Sequence, residues 1–233
     1  MNEIRPVVRA CVTGLLVPLI GFSGGCVAIP TKANVAQSGE VQAADGALTA
    51  TVLYSRDFSP ETPRSLGEEV VECVTRGLTE TAPEIRIVSE EEFDRAIFGV
   101  KSGEVLLRRD TIGPLLTRPD VSQRVGQSGL THLILVEGAT HNVPGNSGSW
   151  VVPYSMGAWG ESKRNTQFTA TIFELMSAKE VQVKASAEGN QVFVFAFPVP
   201  IVGWADATES ASCAALGAGV ARALRGKVRD EGR

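Results

Sequence analysis

The sequence predicts a mixed α/β (α+β) fold, a sheet of about five strands with helices packed on it in a single domain. Three observations predict it. Strand-like and helix-like patterns alternate from Leu48 onward. The stretch Thr131–Ala139 (THLILVEGA) is a continuous apolar run of the kind buried on both faces of a sheet. Gln167–Met176 and Val181–Ala185 flank a polar tetrapeptide, Ser177 to Glu180, as an antiparallel hairpin does. At 233 residues the chain has room for one substantial core once its first segments are set aside.

The elements follow in order. Leu48–Tyr54 (LTATVLY) reads as a strand, rich in β-branched and apolar residues. Pro63 and the capping box Ser65–Glu68 then open a helix. It places Leu66, Val70, Cys73, Val74 and Leu78 on one face and ends at Pro83. Glu84–Val88 alternates as a half-buried strand, and Ser89–Glu92 is a second capping box, opening a short helix through Phe93, Ala96 and Ile97. Gly113, Pro114 and Pro119 divide the stretch 101–128 into short helical pieces. After the central strand and the hairpin, Asp206 to Glu209 begins the last helix, whose apolar face holds Cys213, Leu216, Val220, Leu224 and Val228.

Ahead of this domain (48–228) stand two segments of other kinds. Residues 1–25 have the parts of a secretory signal peptide: basic Arg5 and Arg9, an apolar run from Ala10 to Phe22 too short to span a bilayer, then Ser23, Gly24 and Gly25. Residues 26–47 are rich in Ala, Gly, Ser, Gln and Thr without apolar periodicity, which predicts a flexible tether with an end-to-end distance of roughly 25 Å. Ser23-Gly24-Gly25-Cys26 resembles the lipobox of bacterial lipoproteins, with Ser23 where that motif usually has Leu. The resemblance implies a lipid on Cys26. With Val27 rather than Asp beside it, an enterobacterial-type sorting system would deliver the chain to the outer membrane, facing the periplasm.

Chemistry-bearing patterns are sparse. A net charge of -4 gives no electrostatic footprint for nucleic acid. His132 and His141 stand outside any zinc-ligand spacing, so neither a metal nor another cofactor is expected. Gly145-Asn146-Ser147-Gly148-Ser149 fails as a nucleophile elbow at its last position and reads as loop, and no phosphate loop is present. Glu90, Glu91 and Glu92 fit the positive end of a helix better than a cation site. No catalytic residues are assigned, and an enzyme is not the expected reading. Of four cysteines, Cys11 lies in the leader and Cys26 in the lipobox. Cys73 and Cys213 lie on apolar helix faces of an exported chain, either bridged or buried as separate thiols.

Two segments carry excess apolar character in apparent loops. They are Trp150–Trp159 (WVVPYSMGAW) and Val192–Trp204 (VFVFAFPVPIVGW), and they hold every tryptophan of the chain. Either they extend the neighbouring strands or form a satellite core, or they expose an interaction surface through Trp150, Tyr154, Trp159, Phe193, Phe195, Phe197 and Trp204.

The element order, with THLILVEGA (131–139) and TATIFELMSAKEVQVKAS (169–186), resembles a group of envelope proteins. The group comprises the periplasmic domain shared by the curli secretion channel subunit and the penicillin-binding-protein activator lipoproteins, and the amino-terminal domain of the Tol translocation protein. The resemblance spans Leu48 to Leu224. It implies a membrane-anchored lipoprotein, non-enzymatic, that binds or assembles envelope components, with an envelope protein as partner and room for an oligomer. A small-ligand site under the aromatic segments is the alternative, and a hydrolase whose polar residues converge only on folding is a third. Pro198 and Pro200 interrupt the best candidate for a membrane hairpin, against the ~10-residue alternating strands of a barrel, so a secretion pore is not expected.

Overall fold

The computed structural model describes residues 26–29, 31–39, 48–55, 64–99, 109–177, 179–197 and 199–226. The predicted signal peptide with Cys11, most of the tether's second half and Val228 lie outside the described residues.

In chain order the elements are β1 (Cys26–Ile29), β2 (Ala33–Ser38), β3 (Thr49–Tyr54), α1 (Arg64–Thr81), β4 (Arg86–Val88), α2 (Glu90–Ile97), α3 (Arg109–Leu116) and α4 (Pro119–Ser128). Then come β5 (His132–Val152), β6 (Ser155–Glu174), β7 (Glu180–Phe197), β8 (Val199–Asp206) and α5 (Thr208–Leu224). They build one α+β domain around a mixed sheet with strand order β1-β8-β7-β6-β5-β3-β4, and β2 pairs with β7 beside it. Strand β3 is parallel to β4 and β5, whereas β5 to β8 run as an antiparallel meander.

The sheet is mixed and helix-covered as the sequence predicts, but has eight strands among the described residues instead of about five. The five expected strands are β3 to β7. The sixth, β8, comes from the apolar segment 192–204. The other two correct the tether. Ala33–Ser38 is paired with β7 from Ala187 to Gln182, and Cys26–Ile29 with β8 from Gly203 to Asp206. Strand β2 (ANVAQS) has no buried residue, so it gains order from backbone bonding to β7 more than from apolar burial.

Alternation along β5 divides the core. Ile134 and Val136 join α1 and α5 on one face, packed with Ile172, Val183 and Leu216. Leu133 and Leu135 join α2, α3 and α4 on the other, packed with Phe93, Ile112 and Val125. An apolar residue at each successive position is what two covered faces require. Helix α2 starts as predicted: the Ser89 hydroxyl accepts from the Glu92 N–H at 3.2 Å, and Glu90, Glu91 and Glu92 occupy its first turn. Two other predicted starts are corrected. Ser65 lies inside the first turn of α1, not ahead of it. The Asp206 carboxylate accepts from the Asn190 N–H at 2.6 Å, leaving Ala207 as the N-cap of α5 without a side-chain bond.

Helices α1 and α5 lie close because small residues face each other. A methyl added at Gly77 would sit 2.7 Å from the Ala214 carbonyl oxygen, and one at Gly217 would meet the backbone of Val74 and Leu78. One turn earlier on both helices, Cys73 and Cys213 form a disulfide with Cα atoms 5.8 Å apart. At the far end Arg225 donates to both Glu84 carboxylate oxygens, at 2.6 and 2.8 Å, and holds the Glu84 pKa down at about 2.

The disulfide joins positions 140 residues apart, so it removes a large loop-closure entropy from the unfolded chain. Reduction, or the pair Cys73→Ala and Cys213→Ala, is expected to cost about 2 to 5 kcal/mol in urea unfolding. An unchanged midpoint would show that helix packing alone sets this stability.

Candidate functional site

Beyond Val136 the sheet leaves its helices. The last backbone pair between β3 and β5 is Tyr54–Val136, and the Tyr54 hydroxyl donates to the Gly138 carbonyl at 2.7 Å. Gly138 itself has φ +149°, and a side chain there would run into the backbone of Gln167 and Phe168. Only glycine fits this crossing between the two halves of β5. From there to Val152 the strand continues for roughly 45 Å at about 3.3 Å per residue. The paired halves of β6, β7 and β8 accompany it. This projecting part, called the blade below, is where both aromatic segments fall.

Of the readings open for those segments, the extension of neighbouring strands is what the structure has. Gly145 to Ser149, expected to be loop, also lies within β5, with a register shift between Pro144 and Ser147. Residues 148–152 and 155–159 pair across a two-residue turn of Pro153 and Tyr154. The proline-containing segment is a hairpin too, because β7 ends at Phe197 and β8 begins at Val199. Pro200 lies at the start of β8, where a missing N–H costs little, and Pro198 lies outside the described residues.

Registers bring the two aromatic segments side by side, with Trp159 opposite Val194, Ala158 opposite Phe195 and Gly160 opposite Phe193. Phe197 is in backbone register with Met156, and Trp204 with Val192. Each described indole covers a glycine on the next strand. Gly148 is opposite Trp159 and Trp150 is opposite Gly157, reciprocally. A methyl on Gly148 would lie 2.6 Å from Trp159 Nε1, and one on Gly157 would collide with the Trp150 ring. On the other face the Phe193 ring lies over Gly160. Aromatic rings thus fill the gaps that glycine leaves in an uncovered sheet.

These rings are still open to solvent: Trp159 is 38% exposed, Phe193 48% and Phe195 38%. Toward the turn exposure rises, to 80% at Val151 and 99% at Tyr154. Tyr154 has φ +73°, a backbone region that costs an L-residue roughly 1 to 2 kcal/mol and usually selects glycine. No charged side chain occurs in 142–160 or 189–205. Charges begin about halfway down the blade with Glu161, Lys163, Arg164 and Glu188. Arg164 pairs with Glu209 at 2.8 Å, and the Thr166 hydroxyl bonds those of Thr140 and Thr208, both at 2.9 Å, tying the blade to the start of α5.

The remaining polar candidates are not gathered with the aromatics. His132 is buried in the core rung opposite Glu174. The Thr131 hydroxyl donates to Thr49 O at 2.8 Å and faces His132 Nδ1 at 2.9 Å, so Nδ1 is the protonated nitrogen. Nε2 finds no partner among the described residues. Burial pushes the His132 pKa below its ordinary 6.5, against the opposing pull of Glu174. His141, Ser147 and Ser149 lie along exposed β5. Among the described residues no cluster of three His, Cys, Asp or Glu side chains could hold a metal ion, and no helix is long and apolar enough to cross a membrane.

No protein-family model and no curated protein matches the chain. Solved structures with a similar arrangement include the PelC dodecamer from Paraburkholderia phytofirmans, 9% identical over 84% of this chain and 99% of that one, TM-score 0.39. Lipoprotein GNA1162 from Neisseria meningitidis is 12% identical over 65% of this chain and 85% of its own, TM-score 0.28. The hypothetical protein CT253 from Chlamydia trachomatis is 13% identical over 62% and 72%, TM-score 0.30. Likenesses at this level establish neither a family nor a function.

His132 yields a pH prediction. With the folded pKa below the unfolded value, the unfolded chain binds the extra proton. The stability from neutral His132 is therefore present above about pH 6.5 and falls as pH drops through that value toward the lower folded pKa. Urea unfolding between about pH 7 and 5 should show this slope, and His132→Gln should flatten it. Equal slopes in both proteins would contradict the assignment.

Proposed function

We propose that the chain is a membrane-anchored, non-enzymatic lipoprotein of the cell envelope that binds or assembles envelope components through its blade. The observation that supports this reading is the uncharged outer half of a four-stranded extension, where Trp159, Phe193 and Phe195 stay open to solvent. Apolar area of this kind is what a partner covers. Its β5 edge adds to this. From Ala139 to Val152 no strand among the described residues pairs with it, and it carries no lysine or acidic residue of the kind that blunts unused edges. Assembly of copies or of an envelope protein along that edge would extend the sheet.

Both faces of the blade are apolar near its tip, unlike the apolar-out, polar-in wall of a water-filled barrel. The reading is thus an assembly surface and not a pore. The anchor is a lipid on Cys26, and the outer membrane facing the periplasm is the compartment. A small-ligand site under the aromatic segments has less support, because those segments are strands of an open sheet.

Phe195 lies on the exposed sheet opposite Ala158, so Phe195→Ala removes contact surface without emptying a core site. It should leave the thermal midpoint unchanged. Anchor residues are worth about 2 kcal/mol, roughly a thirtyfold loss of affinity for the partner recovered by cross-linking in native membranes. Cys26→Ala should abolish acyl modification and release the chain from membranes. A collapsed midpoint with Phe195→Ala, or unaltered acylation with Cys26→Ala, would contradict the reading.

A further inference from the structure

We propose that the tip of the blade, residues 150–156, lodges in the interfacial layer of a phospholipid leaflet, the same leaflet that takes the Cys26 lipid. The proposal rests on Cys26 as lipid acceptor for which leaflet is meant, and on the blade's own geometry for the contact.

The chain direction makes the first argument. Strand β1 is parallel to β8, and its first residue, Cys26, is in register with Gly203. Gly203 is in register with Phe193, and Phe193 with Gly160. Cys26 therefore sits within the blade, at the tip-facing end of β1, and not on a free tether. From Gly160 to Tyr154 the hairpin extends another six residues, roughly 20 Å. A lipid on Cys26 brings the bilayer surface to the level of Gly160 and Phe193, with everything beyond it uncharged.

Charge distribution decides between lipid and protein. A partner strand added along the β5 edge leaves both faces of the tip in water, whereas a lipid layer surrounds both. Here both faces lack charge near the tip: Trp150 and Val152 alternate with Val151, and Phe195 with Val194. Tyr154 and the tryptophans have the amphipathic rings that favour a membrane interface. Tyr154 holds the apex in a backbone conformation where glycine would be less strained, which keeps a ring there at a cost. Depth is limited by the backbone. Unpaired N–H and C=O groups of the β5 edge need water, headgroups or a neighbouring strand, so an isolated copy stops at the headgroup–acyl boundary.

Since all three tryptophans lie in the blade and none in residues 1–25, their emission reads the blade alone. The full chain carrying Cys26→Ala is mixed with phosphatidylcholine vesicles, either plain or brominated along the acyl chains. Brominated vesicles should remove most of the tryptophan emission, and Val151→Glu with Tyr154→Asp should restore it at an unchanged thermal midpoint. Equal emission in plain and brominated vesicles would overturn the proposal, as would quenching that persists in the double variant. Concentration-dependent shielding from acrylamide without lipid would also overturn it, assigning the tip to a second copy. Cys26 is absent from this assay, so failure here is distinct from failure of acylation, which is read on the wild-type chain by the mass of its Cys26 peptide.

Discussion

The backbone ladder between β5 and β6 is the interaction on which the remaining structure depends. It runs from His132–Glu174 in the core to Val152–Ser155 at the blade's end, and it crosses two environments without a break in strand order. In the core half, helices on both faces supply the stabilising apolar contact. In the blade, hydrogen bonding and cross-strand ring–glycine pairs must serve instead. A two-stranded hairpin in water is marginal by itself, so the blade borrows its order from the buried end of the same ladder and from β7 beside it.

The α1–α5 layer makes that buried end rigid. The two helices are brought close at Gly77 and Gly217, joined at Cys73–Cys213 and tied at their far ends by Arg225 and Glu84. Helix α5 then meets the blade's base through Thr208 and Glu209, which contact Thr166 and Arg164. The chain thus runs from a covalently fixed helix pair, through a polar junction, to an uncharged extension. Each section has a chemistry that fits its surroundings.

Much of the core was legible in the sequence because two covered faces leave strong patterns. THLILVEGA marks its burial, the spacing of Val70, Val74 and Leu78 marks α1, and Ser89 with Glu92 marks the start of α2. The blade was not legible by the same rules, because neither of its faces is covered by helices and no alternation results. Gly145 to Ser149 reads as loop and apolar 192–204 as an anomaly. One signal was present: Gly148-Ser149-Trp150 and Gly157-Ala158-Trp159 flank Pro153-Tyr154, so folding at the turn sets each tryptophan over the other strand's glycine. Strands β1 and β2 were hidden for a different reason. They are short, and their partners are distant in sequence. Ser65 and Asp206 show the limit of local capping signals, since tertiary bonding claimed Asp206 and the helix began before Ser65.

The central claim is that the blade is an ordered but uncovered extension, completed only at the membrane. Amide hydrogen exchange over Ala139–Val152, compared between purified protein and protein in native membranes, tests it most directly. Isolated protein should exchange rapidly along this open edge while Leu133–Val136 stays protected, and native membranes should slow the edge strongly. Equal exchange of Ala139–Val152 in both settings would contradict the account.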